Sequence, residues 1–117
     1  MKYTVSIKNN HEFRRLYSKG KSAASSCLVV YFRRTGRDAN RIGITVSTKV
    51  GKAVVRNKVR RRLREIYRLN EEKLRRGLDI IIVARVKSAH VSYAQLEREY
   101  LKLCATLKLL AERRPET

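Results

Sequence analysis

The residues best equipped for chemistry lie in one stretch: Lys49-Val50-Gly51-Lys52-Ala53-Val54-Val55-Arg56-Asn57-Lys58-Val59-Arg60-Arg61-Arg62-Leu63-Arg64-Glu65-Ile66-Tyr67-Arg68. They supply cations and amides rather than nucleophiles. On a helix, at about 100° per residue, Val55, Val59, Leu63, Ile66 and Leu69 gather on one side. Arg56, Asn57, Arg60, Arg61, Arg64 and Arg68 gather on the other, with Lys52 and Lys58 adding charge near the start. Arg62 falls at the apolar edge, where its stem can lie over the core. Glu65 sits on the flank, so the exposed side carries arginines and no acid. Like charges at i,i+4, as in Arg56, Arg60 and Arg64, destabilise a free helix. The pattern therefore points to anions on that face. Guanidinium makes forked bonds to phosphate and stacks on bases. Asn57 can bond a phosphate, a 2′-OH or a base edge, or brace neighbouring arginines. The helix start near Gly51 presents backbone N–H groups suited to phosphate. The bland alternative is a solvated charged face, but such faces usually mix signs.

A second group lies on strands. Along Cys27–Arg33, Leu28, Val30 and Phe32 point one way and Tyr31 and Arg33 the other. Along Arg41–Ser47, Ile42, Ile44 and Val46 form the apolar face, opposite Gly43, Thr45 and Ser47. Aromatic, cationic and hydroxyl residues on one sheet face suit an extended single strand, with bases stacked and phosphates on arginines. Phe13 and Tyr17, at i,i+4 on a short helix, could wall that surface or simply pack the helix.

Elements must position these groups. Asn9 or Asn10 can cap a first helix, with Glu12 at capping-box distance from Asn9 and Gly20 at its end. The turn residues of Thr35–Asn40 suggest that the two strands form an antiparallel hairpin. A helix from about Gly51 to Arg76 follows, with Gly77 at its cap and Arg75 and Arg76 at the negative end of its dipole. Leu78–Ala84 reads as a central strand covered on both faces. The last helix starts near Ser92, with Gln95 completing a capping box; Leu96, Tyr100, Leu103, Leu107 and Leu110 form its stripe and Pro115 lies beyond. The order α-β-β-α-β-α is that of one α+β domain, helices packed on a small sheet.

Composition narrows the function. The 117 residues carry 29 Lys and Arg against 10 Asp and Glu, a net charge of +19 with 43% hydrophobic residues. Such a balance points to a polyanionic partner. Cys27 and Cys104 belong to no C-x-x-C pair and read as reduced thiols. No signal core or membrane span is visible, so a cytoplasmic protein is expected. No metal-ligand or nucleophile spacing is present, and none is expected to form from His11 and His90. Gly20-Lys21-Ser22 ends like a phosphate loop, but Arg15 occupies the place of the required first glycine.

These residues resemble a family. The run Arg41-Ile42-Gly43-Ile44-Thr45-Val46-Ser47, followed by Lys49 to Arg64, is similar to the signature of the bacterial ribonuclease P protein component, whose RNR motif stands here as Arg56-Asn57-Lys58. Lys8 to Ser22 resembles the family's N-terminal segment and Gly77 to Arg85 its last strand; the likeness spans roughly residues 8–110. It implies a mixed sheet with a left-handed β-α-β crossover, and a small subunit bound to a large catalytic RNA. Together they remove the 5′ leader of precursor tRNA. Carried over by position, the resemblance assigns Phe13, Tyr17, Tyr31, Thr45, Ser47 and Lys49 to a leader cleft, to which the sheet-face reading adds Arg33. It assigns Arg56, Asn57, Arg60, Arg61 and Arg64 to the RNA-binding helix, beside which Lys52, Lys58 and Arg68 extend the basic surface. Thr48 stands where members often have Lys, Tyr17 where Phe is common, and Lys58 in place of the motif's second Arg. Chemistry on the phosphodiester would then fall to Mg2+ held by RNA phosphates. Anions such as sulfate or phosphate at the basic sites should stabilise the fold by mass action.

The charge and the helix fit a ribosomal or other structural RNA-binding protein equally well. Affinity that depends on leader length separates the two. A DNA-binding architectural protein would prefer duplex DNA, and a self-sufficient nuclease would cleave without RNA.

Overall fold

The computed structural model describes residues 3–111; Pro115 lies outside them. The elements are β1 (Thr4–Ser6), α1 (Asn10–Lys19), β2 (Lys21–Ala24), β3 (Leu28–Arg34), β4 (Asn40–Val46), α2 (Ala53–Asn70), β5 (Leu78–Ala84) and α3 (Tyr93–Thr106), with short 3-10 turns at Thr48–Val50, Glu71–Lys73 and Val86–His90. They form one small α+β domain around a five-stranded mixed sheet of order β1-β4-β5-β3-β2.

β5 holds the centre because its aliphatic run must be covered on both faces. Leu78, Ile80, Ile82 and Ala84 enter a large core with α2 and α3, whereas Ile81 faces the smaller cluster of Ile7 and Leu16 under α1. This corrects the expected β3–β4 hairpin. β5 inserts between the two strands, antiparallel to β3 and parallel to β4. Flanking the most apolar strand on both sides buries more surface than a two-stranded ribbon beside it. The segment joining β3 to β4 wraps the start of β5 instead: Thr35 N–H donates to the Gly77 carbonyl (2.8 Å), and the Asn40 side chain accepts from Leu78 N–H (2.9 Å). A parallel β4–β5 pair requires a crossover, which α2 supplies.

Gly77 has a different task from the one expected. The helix ends at Asn70, whose buried amide donates to the Ile66 carbonyl (2.8 Å). Gly77 lies seven residues later at φ +79°, where a Cβ would stand 2.5 Å from the Arg37 carbonyl oxygen. Arg75 and Arg76 consequently do not lie at the end of α2: Arg75 donates to the Lys108 carbonyl (3.1 Å), just past α3, and Arg76 lies over the Tyr3 ring (4.3 Å). The buried line of α2 is Val59, Leu63, Ile66 and Tyr67, while Val55 and Leu69 are exposed. Tyr67 displaces Leu69 because its hydroxyl reaches Thr4 Oγ1 (2.8 Å) and fastens β1 to the helix. Burial pushes its pKa up to about 12.

Two capping expectations are half met. Asn9 stands at the N-cap of α1 but makes no side-chain cap, and the Glu12 side chain is drawn to Arg41 instead of reaching back to it. Ser92 caps α3 by accepting from Gln95 N–H (3.1 Å), yet the Gln95 side chain turns to Glu99. β1 and β2, unforeseen, are short edge strands with polar residues, a composition that discourages sheet-to-sheet association. Both cysteines are free and buried.

Candidate nucleic-acid interface

One surface grows from α1 and the sheet beneath it. Gly43 is what allows α1 to approach: a Cβ there would stand 2.5 Å from the Phe13 ring. Phe13 therefore lies on the sheet over Gly43, and Tyr17 follows one helical turn later. The Tyr17 hydroxyl hydrogen-bonds Thr45 Oγ1 (3.1 Å), and its ring meets Tyr31 edge-on at 4.9 Å. Tyr17 remains 38% exposed, so it offers ring surface that the fold does not consume. Phe13, Tyr17 and Thr45 line a concavity of about 460 Å³ together with Asn10 and Arg14. Sequence reasoning missed those two. The positions 10, 13, 14 and 17 form one helical face, which was the available signal.

The other side of α1 is held by charge. Arg41 donates Nε and Nη2 to the Asp79 carboxylate (2.9 and 2.7 Å) and Nη1 to Glu12 (2.6 Å). These bonds hold its guanidinium firmly protonated. Arg33 is separated from the aromatic concavity. It lines a cavity of about 150 Å³ with Arg15, Arg37 and Arg41, and a groove on the other side with Lys19 and Lys21. Ser47 and Lys49 are exposed just past β4, on the connection between Thr45 and α2.

The second surface is α2. Asn57, Lys58, Arg61 and Arg64 are exposed, and Arg56 and Arg60 are half-buried. Asn57 braces Arg60, accepting at Oδ1 from Nη1 (3.0 Å). Arg56 Nε donates to the Gly51 carbonyl (3.2 Å), which fixes the turn before the helix. Arg62 reaches the Val91 carbonyl (3.4 Å) with its stem over the core. Arg68 differs from its neighbours, since Glu65 accepts from it at 2.5 and 3.1 Å and is held below its ordinary pKa by those bonds. Lys52 precedes the first turn, whose N–H groups receive no side-chain cap.

The acids explain why the positive potential stays available. Glu12 and Asp79 serve Arg41, Glu65 serves Arg68 and Glu97 accepts from Asn70. Burial pulls the Glu99 carboxyl up in pKa, but bonds from Ser25, Cys27 and Gln95 overcome this and hold it at about 2. Among the described residues, no group of three or more His, Cys, Asp or Glu is placed to hold a metal ion, and no helix is long and apolar enough to cross a membrane.

Known proteins share this arrangement. The Ribonuclease P family profile matches residues 1–108. The ribonuclease P protein component of Alkaliphilus oremlandii (strain OhILAs) is 44% identical over 110 residues, covering 94% of this chain and 96% of that protein. The Staphylococcus aureus RNase P protein superposes with a TM-score of 0.83 at 34% identity, over 91% of this chain and 97% of its own. A mutant of the S. aureus protein, described as having defective mRNA degradation activity, gives the same TM-score and identity over 90% and 89% of the two chains. A profile spanning nearly the whole chain, together with curated relatives and superposed structures that cover nine-tenths of it, leaves one assignment: the chain belongs to the ribonuclease P protein component family, the protein subunit of the RNase P endoribonuclease, which processes the 5′ leader of tRNA.

Proposed function

We propose that this protein contributes binding rather than bond-breaking, with separate surfaces for two RNAs. The exposed side of α2 docks the catalytic RNA through Arg56, Asn57, Lys58, Arg60, Arg61 and Arg64, with Lys52 at its start and Arg68 in a lesser role because Glu65 already holds it. The cleft of Phe13, Tyr17, Tyr31 and Thr45, extended by Ser47 and Lys49, holds the single-stranded leader of precursor tRNA. Asn10 and Arg14 join this cleft from the same helical face. The observation that carries the reading is Tyr17: an aromatic ring anchored at its hydroxyl, edge-on to Tyr31, with ring surface left to solvent. Such a ring is built to receive a base.

Mg2+, which the family implies, finds no donor set among the described residues. Glu12, Asp79 and Glu65 are bonded to arginines, and Glu97 and Glu99 to polar side chains. We therefore assign the metal to the RNA, and derive no protein step through it. Neutralising phosphates with arginine lowers the Mg2+ needed to bring two RNAs together. About six phosphate contacts to single-stranded leader would give a log–log salt slope near −4. Sulfate or phosphate at these sites would stabilise the free protein, and the working compartment is the cytoplasm.

The test is precursor tRNA cleavage at low Mg2+ by a bacterial ribonuclease P RNA, with and without this protein. Protein alone is run on the precursor and on an mRNA. Cleavage at the mature 5′ end that requires both components supports the reading. Tight RNA binding without enhancement favours a structural RNA-binding role, and cleavage of either substrate by protein alone shows chemistry of its own.

A further inference from the structure

A further basic groove lies at the β3–β2 edge of the sheet. It occupies about 610 Å³ between the end of α1, the edge strand β2, the end of β3 and the end of α3, and Lys19, Lys21, Arg33, Arg34 and Lys108 line it with no acid among the lining residues. The fold brings these cations together by two unusual devices. At Gly20 a Cβ would stand 2.5 Å from the Leu16 carbonyl oxygen and 2.9 Å from that of Phe32. The missing side chain lets the chain turn tightly against β3, which sets Lys19 and Lys21 beside Arg33 and Arg34.

The other device is at Lys108. Helix α3 ends in a Schellman turn, with Leu109 N–H donating to the Cys104 carbonyl (2.9 Å) and Lys108 N–H to Ala105 (3.1 Å). The residue in the left-handed position of such a turn is ordinarily glycine. Here it is Lys108, at φ +59°, the one non-glycine with positive φ among the described residues. Its backbone is strained, and its side chain completes the groove. Strain retained at a position that contributes a cation, together with like charges gathered in a lining that holds no acid, indicates a ligand.

We infer that this groove is a further phosphate-binding site, which takes RNA backbone at a place distinct from both the leader cleft and the arginine face of α2. The inference rests on the reading that the partner is RNA. Arginine forks and lysine points of charge suit phosphodiester oxygens, and the lining of lysine, arginine and Thr106 offers donors without an aromatic platform facing solvent. Phe32 is buried there, so bases would not be read; the groove would track backbone.

The triple variant Lys21→Gln/Arg34→Gln/Lys108→Gln tests the site against a control of equal charge change, Lys73→Gln/Arg98→Gln/Lys102→Gln. One arm measures the affinity of each protein for the ribonuclease P catalytic RNA. The other measures the affinity of each reconstituted holoenzyme for precursor tRNA. Both are followed over a range of salt. The groove variant should lose about 2 units of log–log salt slope in one arm, which identifies the RNA it holds, and the control should lose little. Unchanged slopes in both arms, or an equal loss in the control, overturn the proposal. Lys108→Gly separates binding from folding: relief of the left-handed strain should raise the melting temperature while affinity falls about fivefold at 0.1 M salt. A rise in melting temperature with unchanged affinity in both arms counts against the site. Failure here with protein-dependent cleavage intact leaves the proposed function standing; loss of RNA dependence on every basic surface, α2 included, would remove both.

Discussion

The two faces of the sheet are built by different rules. On the face under α2 and α3, Leu63, Ile66, Tyr67, Leu96 and Tyr100 are fully buried and close a continuous core. On the face under α1, the buried cluster is Ile7, Leu16 and Ile81, with Phe13, Tyr31 and Val83 half-covered around it. A helix of ten residues cannot hold itself in water. It is held by Phe13 seated on Gly43, by Leu16, and by the Glu12–Arg41–Asp79 ion group. One face thus carries the stability, and the other leaves aromatic surface open for a ligand. The division teaches that exposed rings here are affordable because the opposite face is sealed.

The largest break in this comparison is on the sealed side. Leu63→Ala should cost about 2–5 kcal/mol, since Leu63 is fully buried; chemical denaturation measures it. Leader affinity of the folded fraction should stay unchanged. On the open side, Arg41→Met leaves Asp79, which is 3% exposed, without its partner and should cost about 3 kcal/mol. Adding Asp79→Leu should recover most of that loss, because no uncompensated buried charge then remains; Glu12, the other partner of Arg41, is partly exposed to solvent.

Gly43→Val sharpens the contrast. The new side chain would occupy the place of the Phe13 ring, at an expected cost of about 1–3 kcal/mol in stability. Unlike Leu63→Ala, it should also weaken leader binding, because the aromatic wall moves with α1; a binding assay on the folded variant checks this. The smallest effect is at Glu99, which ties the β2–β3 connection to α3. Its carboxyl lies at about 2, below the ordinary 4.5, so its contribution is present above pH 4.5 and is lost as the pH falls toward 2. Glu99→Gln should lower the melting temperature at neutral pH and flatten the acid limb between those values.

Much of this was legible in the sequence. The arginine side of α2 followed from helical spacing, and β5 from its unbroken aliphatic run. Strand pairing did not follow, because the short segment after Arg34 is compatible with a hairpin until the competing demand of β5 for two neighbours is considered. Gly77 resembled a helix cap because a glycine after arginines looks alike in either setting; only the carbonyl of Arg37, distant in sequence, distinguishes them. Arg33 shares a sheet face with Tyr31, yet α1 lies between it and the aromatic concavity, a separation that alternation along a strand cannot express. The groove at Lys108 joins the ends of α1, β3 and α3, and no local pattern connects them.

The central claim is that the open face reads the leader through Tyr17. The most direct measurement is holoenzyme affinity for precursor tRNA as the leader is lengthened from zero, for the unmodified protein and for Tyr17→Ala, with melting temperatures alongside. The account predicts affinity that rises with leader length in the unmodified protein, a rise reduced by about 1–3 kcal/mol per lost stacked base in the variant, and little change in melting temperature. The same rise with leader length in both proteins would contradict it.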